Sequence, residues 1–163
     1  MIWQMKKTVE GNLTLYFKNQ YPMVLNKNSN KKNSVTIGIG GNIGDMFKRF
    51  NQLLLMLKKD SRLTVLKTSP LLLNPPFGYL EQNDFLNGII TIKTNLSAHQ
   101  SLKVFQRYEN RFKRERSFKD APRTLDIDII FFNNLKIKTK DLSLPHPDYK
   151  NRQSVQIPLK FVN

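Results

Sequence analysis

The segment APRTLDIDIIFF, residues 121–132, places two aspartates, Asp126 and Asp128, at the start of an apolar run. The β-branched and aromatic residues of this run predict a strand. Side chains of a strand alternate between its faces, so the two carboxylates should point the same way, with α-carbons roughly 6.6 Å apart. Two unpaired carboxylates on one face would repel each other and would be costly to desolvate, so a cation must meet them.

Two kinds of cation could meet this pair. Mg²⁺ prefers carboxylate oxygens, needs only one or two of them, and completes its coordination with water and substrate phosphates. Two such ions can clamp a phosphoryl group between them. Alternatively, each aspartate pairs with a nearby arginine at the strand end, which is the ordinary explanation for a pattern as short as D-x-D.

The segment ahead of the aspartates favours phosphate chemistry. RFKRERSFKDAPR, residues 111–123, contains Arg114, Arg116 and Arg123. Arginine is the natural bidentate partner of phosphate oxygens, and a basic loop facing a carboxylate pair that holds metal can neutralise a polyphosphate. A phosphate-transfer site therefore explains both clusters at once.

Three further segments carry weaker signals. GGNIGD, residues 40–45, lacks the Lys-Ser/Thr of a P-loop and the last glycine of a dinucleotide fingerprint, so a tight turn is the simpler interpretation. NPPFGYLEQNDFLN, residues 74–87, contains Phe77 and Phe85, which could stack on a flat heterocycle or simply belong to the core. SLPHPDYKNR, residues 143–152, contains His146, which could equally be a surface turn residue.

An alternation of strands and helices must position these segments. Strands are predicted over 34–40, 62–73, 84–94 and the TLDIDIIFF run, and helices over 42–59 and after Ser97 as an N-cap. This order predicts an α+β fold, the ferredoxin-like βαββαβ sandwich, with two helices on one face of an antiparallel sheet. The polar stretch NKNSNKKNS, residues 26–34, predicts a linker, so we expect an N-terminal extension over 1–34 and a domain over 35–163.

Composition limits the possible classes of protein. With 163 residues, 39% of them hydrophobic, and no apolar stretch near eighteen residues, we expect one soluble domain that does not span a membrane. The absence of cysteine excludes disulfides and a thiolate nucleophile and favours a reducing cytoplasm. A net charge of +15 indicates either an anionic partner, such as nucleic acid, phosphates or acidic lipid, or a lysine-rich solvated surface.

Taken together, these segments resemble the bacterial 6-hydroxymethyl-7,8-dihydropterin pyrophosphokinases of folate biosynthesis. The resemblance runs from about Val35 to Leu159. The motifs that carry it are Gly40-Gly41-Asn42 for G-S-N, Pro75-Pro76, Phe85-Leu86-Asn87, Arg114-Glu115-Arg116 for R-x-R, Pro122-Arg123-Thr124-Leu125-Asp126-Ile127-Asp128, and Pro145-His146 with Arg152.

The resemblance implies that ATP donates its β,γ-pyrophosphoryl group to the pterin's hydroxymethyl oxygen and that AMP leaves. It implies two Mg²⁺ ions at Asp126 and Asp128, and catalytic roles for Arg114, Arg116, Arg123 and Asp128. The implied nucleotide contacts are Gln106, Glu109, Arg116, Arg123, Ile129, Ser143, His146 and Arg152. The implied pterin contacts are Gly40, Asn42, Asn74, Pro75, Phe77, Phe85 and Asn87. We then expect a cytoplasmic monomer that acts on ATP and a reduced pterin, without nucleic acid or membrane.

The sequence departs from this pattern in several places. Gly41 replaces the usual serine, and Lys119-Asp120 replaces a loop arginine and tryptophan. The aromatic residue that closes the second side of the pterin sandwich is here Ser154, so stacking would have to come from Phe118 or the N-terminal segment. Two alternatives stay open: a catalytically weakened paralogue, and an RNA-binding ferredoxin-like module, although strands VTIGIG and NGIITIKT lack the aromatics such a module stacks on RNA bases.

Overall fold

The elements below come from a computed structural model, which describes residues 5–9, 11–18, 20–114 and 118–163. Three strands come first: β1 (Met5–Val9), β2 (Leu13–Phe17) and β3 (Met23–Val24). They are followed by β4 (Asn33–Gly41), α1 (Met46–Lys59), β5 (Leu63–Thr68), β6 (Leu71–Asn74), β7 (Phe85–Thr94), α2 (Ala98–Arg111) and β8 (Asp126–Phe132). The last elements are β9 (Ile137–Lys138), β10 (Ser143–Leu144) and α3 (Gln153–Leu159).

The segment from β4 to β8 forms the predicted ferredoxin-like sandwich. Its strands are antiparallel in the order β8, β4, β7, and β5 and β6 pair one after the other with the far edge of β7. Phe50 and Leu54 of α1 and Phe105 of α2 are buried in one core with Ile37 and Ile127 of the sheet. Because both helices share this core, they cover the same face, and the predicted α+β class is confirmed.

Both helices begin at side-chain caps. Asp45 accepts a hydrogen bond from the backbone N–H of Lys48 at 3.1 Å at the start of α1. Ser97 and Gln100 form the two reciprocal hydrogen bonds of a capping box at the start of α2, as the Ser97 N-cap predicts. These caps satisfy backbone donors that the first helical turn leaves without partners.

The predicted strand over 62–73 is two strands, because Pro70 has no N–H to donate to the sheet ladder. Ser69 bridges the break: its N–H donates to the Ile89 carbonyl at 2.9 Å, and its Oγ accepts from the Ile89 N–H at 2.8 Å. The break between β5 and β6 therefore leaves both strands paired with β7.

The first described segments join the same sheet. β1 and β2 form a hairpin, β2 pairs with β6, and β3 pairs with β5. The stretch 26–34 has no regular structure before Asn33, yet the Asn26 amide nitrogen donates to the Val65 carbonyl at 2.8 Å. The division of the chain at residue 34 stays a prediction from composition.

The short helix α3 covers the face of the sheet opposite α1 and α2. Leu159 of α3 and the nearby Val162 pack with Ile89 of β7 and Ile130 of β8 in a separate buried cluster. This helix leaves part of that face uncovered, next to β4 and β8. In the described part of the chain, no helix has the length and apolar character needed to cross a membrane.

Candidate active site

The two aspartates of β8 lie on the uncovered part of this face. The pairing of β8 with β4 sets Asp126 opposite Gly40 and Asp128 opposite Gly38. Glycine adds no side chain above the sheet, so space remains beside both carboxylates. Ile127, which lies between the aspartates, is buried on the helix side. The strand alternation expected from the D-x-D spacing is thus present.

Two arginines and a histidine lie beside this carboxylate pair. Arg123 Nη1 lies 3.0 Å from Asp126 Oδ2, and Arg114 Nε lies 3.9 Å from Asp126 Oδ1. His146 Nε2 lies 4.0 Å from Asp128 Oδ2. Burial is the main reason that the pKa of His146 is lowered, so this imidazole is mostly uncharged at neutral pH. Ion pairing with arginine, one of the two explanations of the D-x-D pattern, therefore occurs at Asp126.

Asn42, in the turn between β4 and α1, fixes the loop that carries Arg123. Its Oδ1 accepts a hydrogen bond from the Arg123 N–H at 2.9 Å, and its own N–H donates to the Arg123 carbonyl at 2.9 Å. Its amide nitrogen donates to Gln82 Oε1 at 2.9 Å and to the Asn83 carbonyl at 2.8 Å. Because Asn42 is buried and its amide is engaged by these loops, its place in this structure is to hold three loops together.

A cavity of about 380 Å³ lies against the carboxylate pair. Several predicted site residues line it together with Asp126 and Asp128, namely Gly40, Asn74, Pro75, Phe77, Phe85, Asn87, Arg123 and Arg152. This cavity therefore brings together all the predicted pterin contacts except Asn42, both predicted metal ligands, and two of the predicted nucleotide contacts, Arg123 and Arg152.

One end of the cavity combines an aromatic ring with two amides. The Arg123 guanidinium lies 5.2 Å from the centre of the Phe85 ring, which is within cation–π range. Asn87 Nδ2 donates to Asn74 Oδ1 at 2.5 Å, which fixes the orientation of both amides. A ring beside amide donors and acceptors suits a flat, polar heterocycle.

Among the described residues, the other predicted nucleotide contacts do not line this cavity, and several lie at the outer edge of β8. The Ile127 N–H donates to Glu109 Oε2 of α2 at 2.8 Å, and the His146 N–H donates to the Ile130 carbonyl at 2.9 Å. Ile129, two residues after Ile127, directs its N–H to the same edge. Gln106 is exposed on α2, and Ser143 begins β10.

Arg114 contacts Asp126 from beside the cavity and does not line it. Arg116, predicted to act on both the nucleotide and the migrating group, lies outside the described residues.

Several residues line the cavity without having been predicted from the motifs. The main ones are Leu13 of β2, Asp120, and Asn151, Gln153 and Val155 around the start of α3. Ser154 also lines it, at the place where the sequence pattern expects an aromatic ring. Phe118, one suggested replacement, instead packs edge-to-face on Tyr79 at 5.3 Å. The alternating leucines of residues 12–17, NLTLYF, are a weak signal for a strand that contains Leu13. Only the pairing of β2 with β6 brings Leu13 to the cavity.

The carboxylate pair fits Mg²⁺ by its donor chemistry. Both carboxylates face the cavity from one strand, and the Asp128 side chain is 41% exposed. Within the described ranges there is no cluster of three or more His, Cys, Asp or Glu side chains suited to a metal. A pair of carboxylates is sufficient for Mg²⁺, since water and substrate phosphates complete its coordination.

A family model for 7,8-dihydro-6-hydroxymethylpterin-pyrophosphokinase (HPPK) matches residues 36–163. The chain belongs to the HPPK family. A 2-amino-4-hydroxy-6-hydroxymethyldihydropteridine pyrophosphokinase of Campylobacter jejuni is 45% identical over 126 residues, which cover 77% of this chain and 80% of that protein. The Helicobacter pylori protein of the same name is 41% identical over 141 residues, covering 85% and 86%. The Bacillus subtilis one is 38% identical over 127 residues, covering 78% and 76%.

HPPK membership confirms the resemblance drawn from the motifs, and it does not favour an RNA-binding module or a weakened paralogue. The structure also gives a reason for glycine in place of the family's serine at position 41. A Cβ there would lie 2.6 Å from Met46 Cε and 2.9 Å from the Thr124 carbonyl oxygen, so a side chain would require Met46 and the Thr124 backbone to shift. The family match begins after β1, β2 and β3, so these strands lie outside it.

Proposed function

We propose that this HPPK transfers the β,γ-pyrophosphoryl group of ATP to the hydroxymethyl oxygen of 6-hydroxymethyl-7,8-dihydropterin and releases AMP. The observation that carries this proposal is the shared cavity. Phe85 and Asn87 lie at one end of it, and Asp126, Asp128 and Arg123 line the same cavity. A heterocycle held by the first group would present its substituent to phosphates held by the second.

The pterin end selects the acceptor. Phe85 stacks on the pterin ring, while Asn74 and Asn87 bind its polar edge through amide groups that already hold each other in place. Pro75 and Phe77 border this end, and the bare backbone of Gly40 lets the ring approach the sheet. Asn42 supports the pocket by fixing the loops before β7 and β8.

The nucleotide end lies along the outer edge of β8 and the mouth of the cavity. Ile129 offers its backbone to the adenine base, and Gln106, Glu109 and Ser143 surround that edge. His146 and Arg152 bind the ribose and phosphate region, where an uncharged imidazole can donate or accept a hydrogen bond without repelling Arg152.

Asp126 and Asp128 would hold two Mg²⁺ ions together with ATP. When bound, these ions supply positive charge that offsets the polyphosphate and favours the reacting geometry. Asp126 must loosen its pair with Arg123 as this happens. The Arg123 guanidinium can then bind phosphate oxygens. Its ion pair with Asp126 holds this arginine at the cavity wall.

In the chemical step the hydroxymethyl oxygen attacks the β-phosphorus and gives up its proton to solvent. The bond from the β-phosphorus to the oxygen that bridges it to the α-phosphate breaks, and AMP leaves with that bond's electron pair. Arg123, Arg114 and Arg116 neutralise charge that develops on the migrating group. The chain needs no covalent nucleophile for this reaction, because phosphoryl transfer depends on positioning and electrostatics.

The test is an omission experiment with the purified chain. AMP should form when ATP, Mg²⁺ and 6-hydroxymethyl-7,8-dihydropterin are all present, and should fall to background when any one is left out. AMP release without the pterin would indicate a hydrolase. Tight RNA binding with a steep salt dependence and no AMP would indicate the RNA-binding module. We further propose that the enzyme works as a cytoplasmic monomer on these small-molecule substrates.

A further inference from the structure

The hairpin of β1 and β2 reaches the cavity through its pairing with β6. In this pairing Thr14 lies opposite Leu73, and Leu15 lies opposite Leu72. β6 ends at Asn74, which lines the cavity. The residue before Thr14 is therefore carried to the cavity end of the sheet, although the hairpin precedes the stretch that the HPPK family model matches.

Leu13 joins the hairpin, the sheet and α3. Leu13 is 6% exposed and packs with Leu15 and Leu72 in a buried cluster, against which Ile157 of α3 also packs. Of the two hairpin leucines in this cluster, Leu13 lines the cavity and Leu15 does not. Leu13 thus combines a fixed position with an apolar surface turned toward the substrate chamber.

The apolar surface of Leu13 is important because position 154 has a small polar side chain. Ser154 lies in the same cavity, at the place where the HPPK sequence pattern has an aromatic residue. A serine side chain gives little apolar contact to a flat ring that stacks on Phe85 from the other side. Close contact with an aliphatic side chain can supply part of the missing dispersion and apolar burial.

We propose that Leu13 is a specificity-determining residue that forms the second wall of the pterin pocket in place of an aromatic side chain at position 154. The N-terminal hairpin is then part of the substrate site. This inference rests on the proposed function, since it concerns how the same pocket holds its pterin.

The test compares Leu13→Ala with Leu15→Ala, a matched control from the same strand, strand face and buried cluster. The Kd of 6-hydroxymethylpterin is measured by its fluorescence with a non-hydrolysable ATP analogue and Mg²⁺, alongside thermal unfolding. Leu13→Ala should raise this Kd roughly tenfold and raise the pterin KM, with kcat and the ATP KM changed less than about twofold. Leu15→Ala should lower the melting temperature while leaving the pterin Kd within about twofold. Equal pterin affinities in the two variants would overturn the proposal.

A second comparison covers the case in which an alanine variant does not fold. Leu13→Val and Leu15→Val remove less volume, and the first should still weaken pterin binding more than the second. In the Leu13→Val background, Ser154→Phe should restore the pterin Kd to within about threefold of the original protein. A folded double variant without recovery would show that Leu13 does not substitute for the ring.

The outcome separates this inference from the proposed function. If the unaltered protein forms AMP from ATP and the pterin but Leu13→Ala behaves like Leu15→Ala, only the role of Leu13 fails. If the unaltered protein forms no AMP, the proposed function itself fails.

Discussion

Asp126 and Asp128 share one face of β8 but differ in their surroundings. The Asp126 side chain is 19% exposed and pairs with Arg123, whereas the Asp128 side chain is 41% exposed and lies beside the mostly uncharged His146. Because more of the Asp128 side chain is exposed, a cation entering from the cavity reaches Asp128 more readily than Asp126. Asp128 should contribute to catalysis while contributing little to folding.

Asp128→Asn tests this separation. We expect kcat/KM to fall about a thousandfold or more, because an amide is a poor Mg²⁺ ligand and the phosphates lose their counter-charge. The free energy of unfolding should stay within about 1 kcal/mol of the original protein, since the side chain is partly exposed. Steady-state AMP release and urea unfolding measure the two quantities. An unchanged rate would refute the metal-ligand role, and a large loss of stability would favour a structural ion pair.

Sequence patterns predicted the direction of some site side chains but not the neighbours of others. The D-x-D spacing correctly predicts a shared face, and the arginines ahead of it correctly predict a nearby cation. Leu13 could not be assigned in this way, because its neighbours are set by pairing between β2 and β6, which are far apart in the chain. Local spacing predicts which way a side chain points, but not what a distant strand brings opposite it.

At the scale of elements, Asp60 links the end of α1 to α2. Its N–H caps α1 by donating to the Leu57 carbonyl at 3.2 Å, and its carboxylate accepts from Arg62 Nη2 at 2.7 Å and from the Tyr108 hydroxyl at 2.7 Å. The hydrogen bonds from Arg62 are the main reason that the pKa of Asp60 is lowered to about 2. Burial and the same carboxylate raise the pKa of Tyr108 to about 12.

The lowered pKa predicts how this link depends on pH. A carboxyl group whose pKa is lower in the folded than in the unfolded chain stabilises the fold above its ordinary pKa, and that stabilisation is lost as the pH falls toward about 2. Asp60→Asn should lower the free energy of unfolding by about 1 kcal/mol at pH 7, with a difference that shrinks below about pH 4. Urea unfolding at pH 7, 4 and 3 measures this. AMP release at pH 7 should be retained, in contrast to Asp128→Asn, and a pH-independent difference would contradict the account.

The long elements could be predicted from the sequence and the short ones could not. Periodicity and capping residues indicate β4, α1, β7, α2 and β8, because each repeats its apolar pattern over many residues. α3 has seven residues, and β9 and β10 have two each, too few for a pattern to emerge. These short pieces depend on tertiary packing, and α3 nevertheless supplies part of the cavity wall.

At the scale of the whole molecule, the net charge of +15 attracts anions without choosing among them. Such a charge speeds encounter with ATP and would equally attract RNA. Discrimination among these ligands comes from the cavity, which has an aromatic ring and fixed amides beside a carboxylate pair. It also comes from the HPPK family match over residues 36–163.

The sheet joins the predicted N-terminal extension to the predicted domain over 35–163. Strands on both sides of residue 34 pair with one another, and the cavity takes residues from β2, β4, β6, β7, β8 and α3. Substrate binding at this one chamber should therefore depend on the hairpin and on α3 as well as on the motifs of the central sandwich.

The central claim is that pyrophosphate moves from ATP to the pterin in one step, and phosphorus NMR of the completed reaction tests it most directly. With ATP, Mg²⁺ and 6-hydroxymethyl-7,8-dihydropterin, we predict equal amounts of AMP and a pterin diphosphate, seen as two coupled phosphorus signals on the new ester. Formation of ADP with a pterin monophosphate, or no nucleotide turnover at all, would contradict the account.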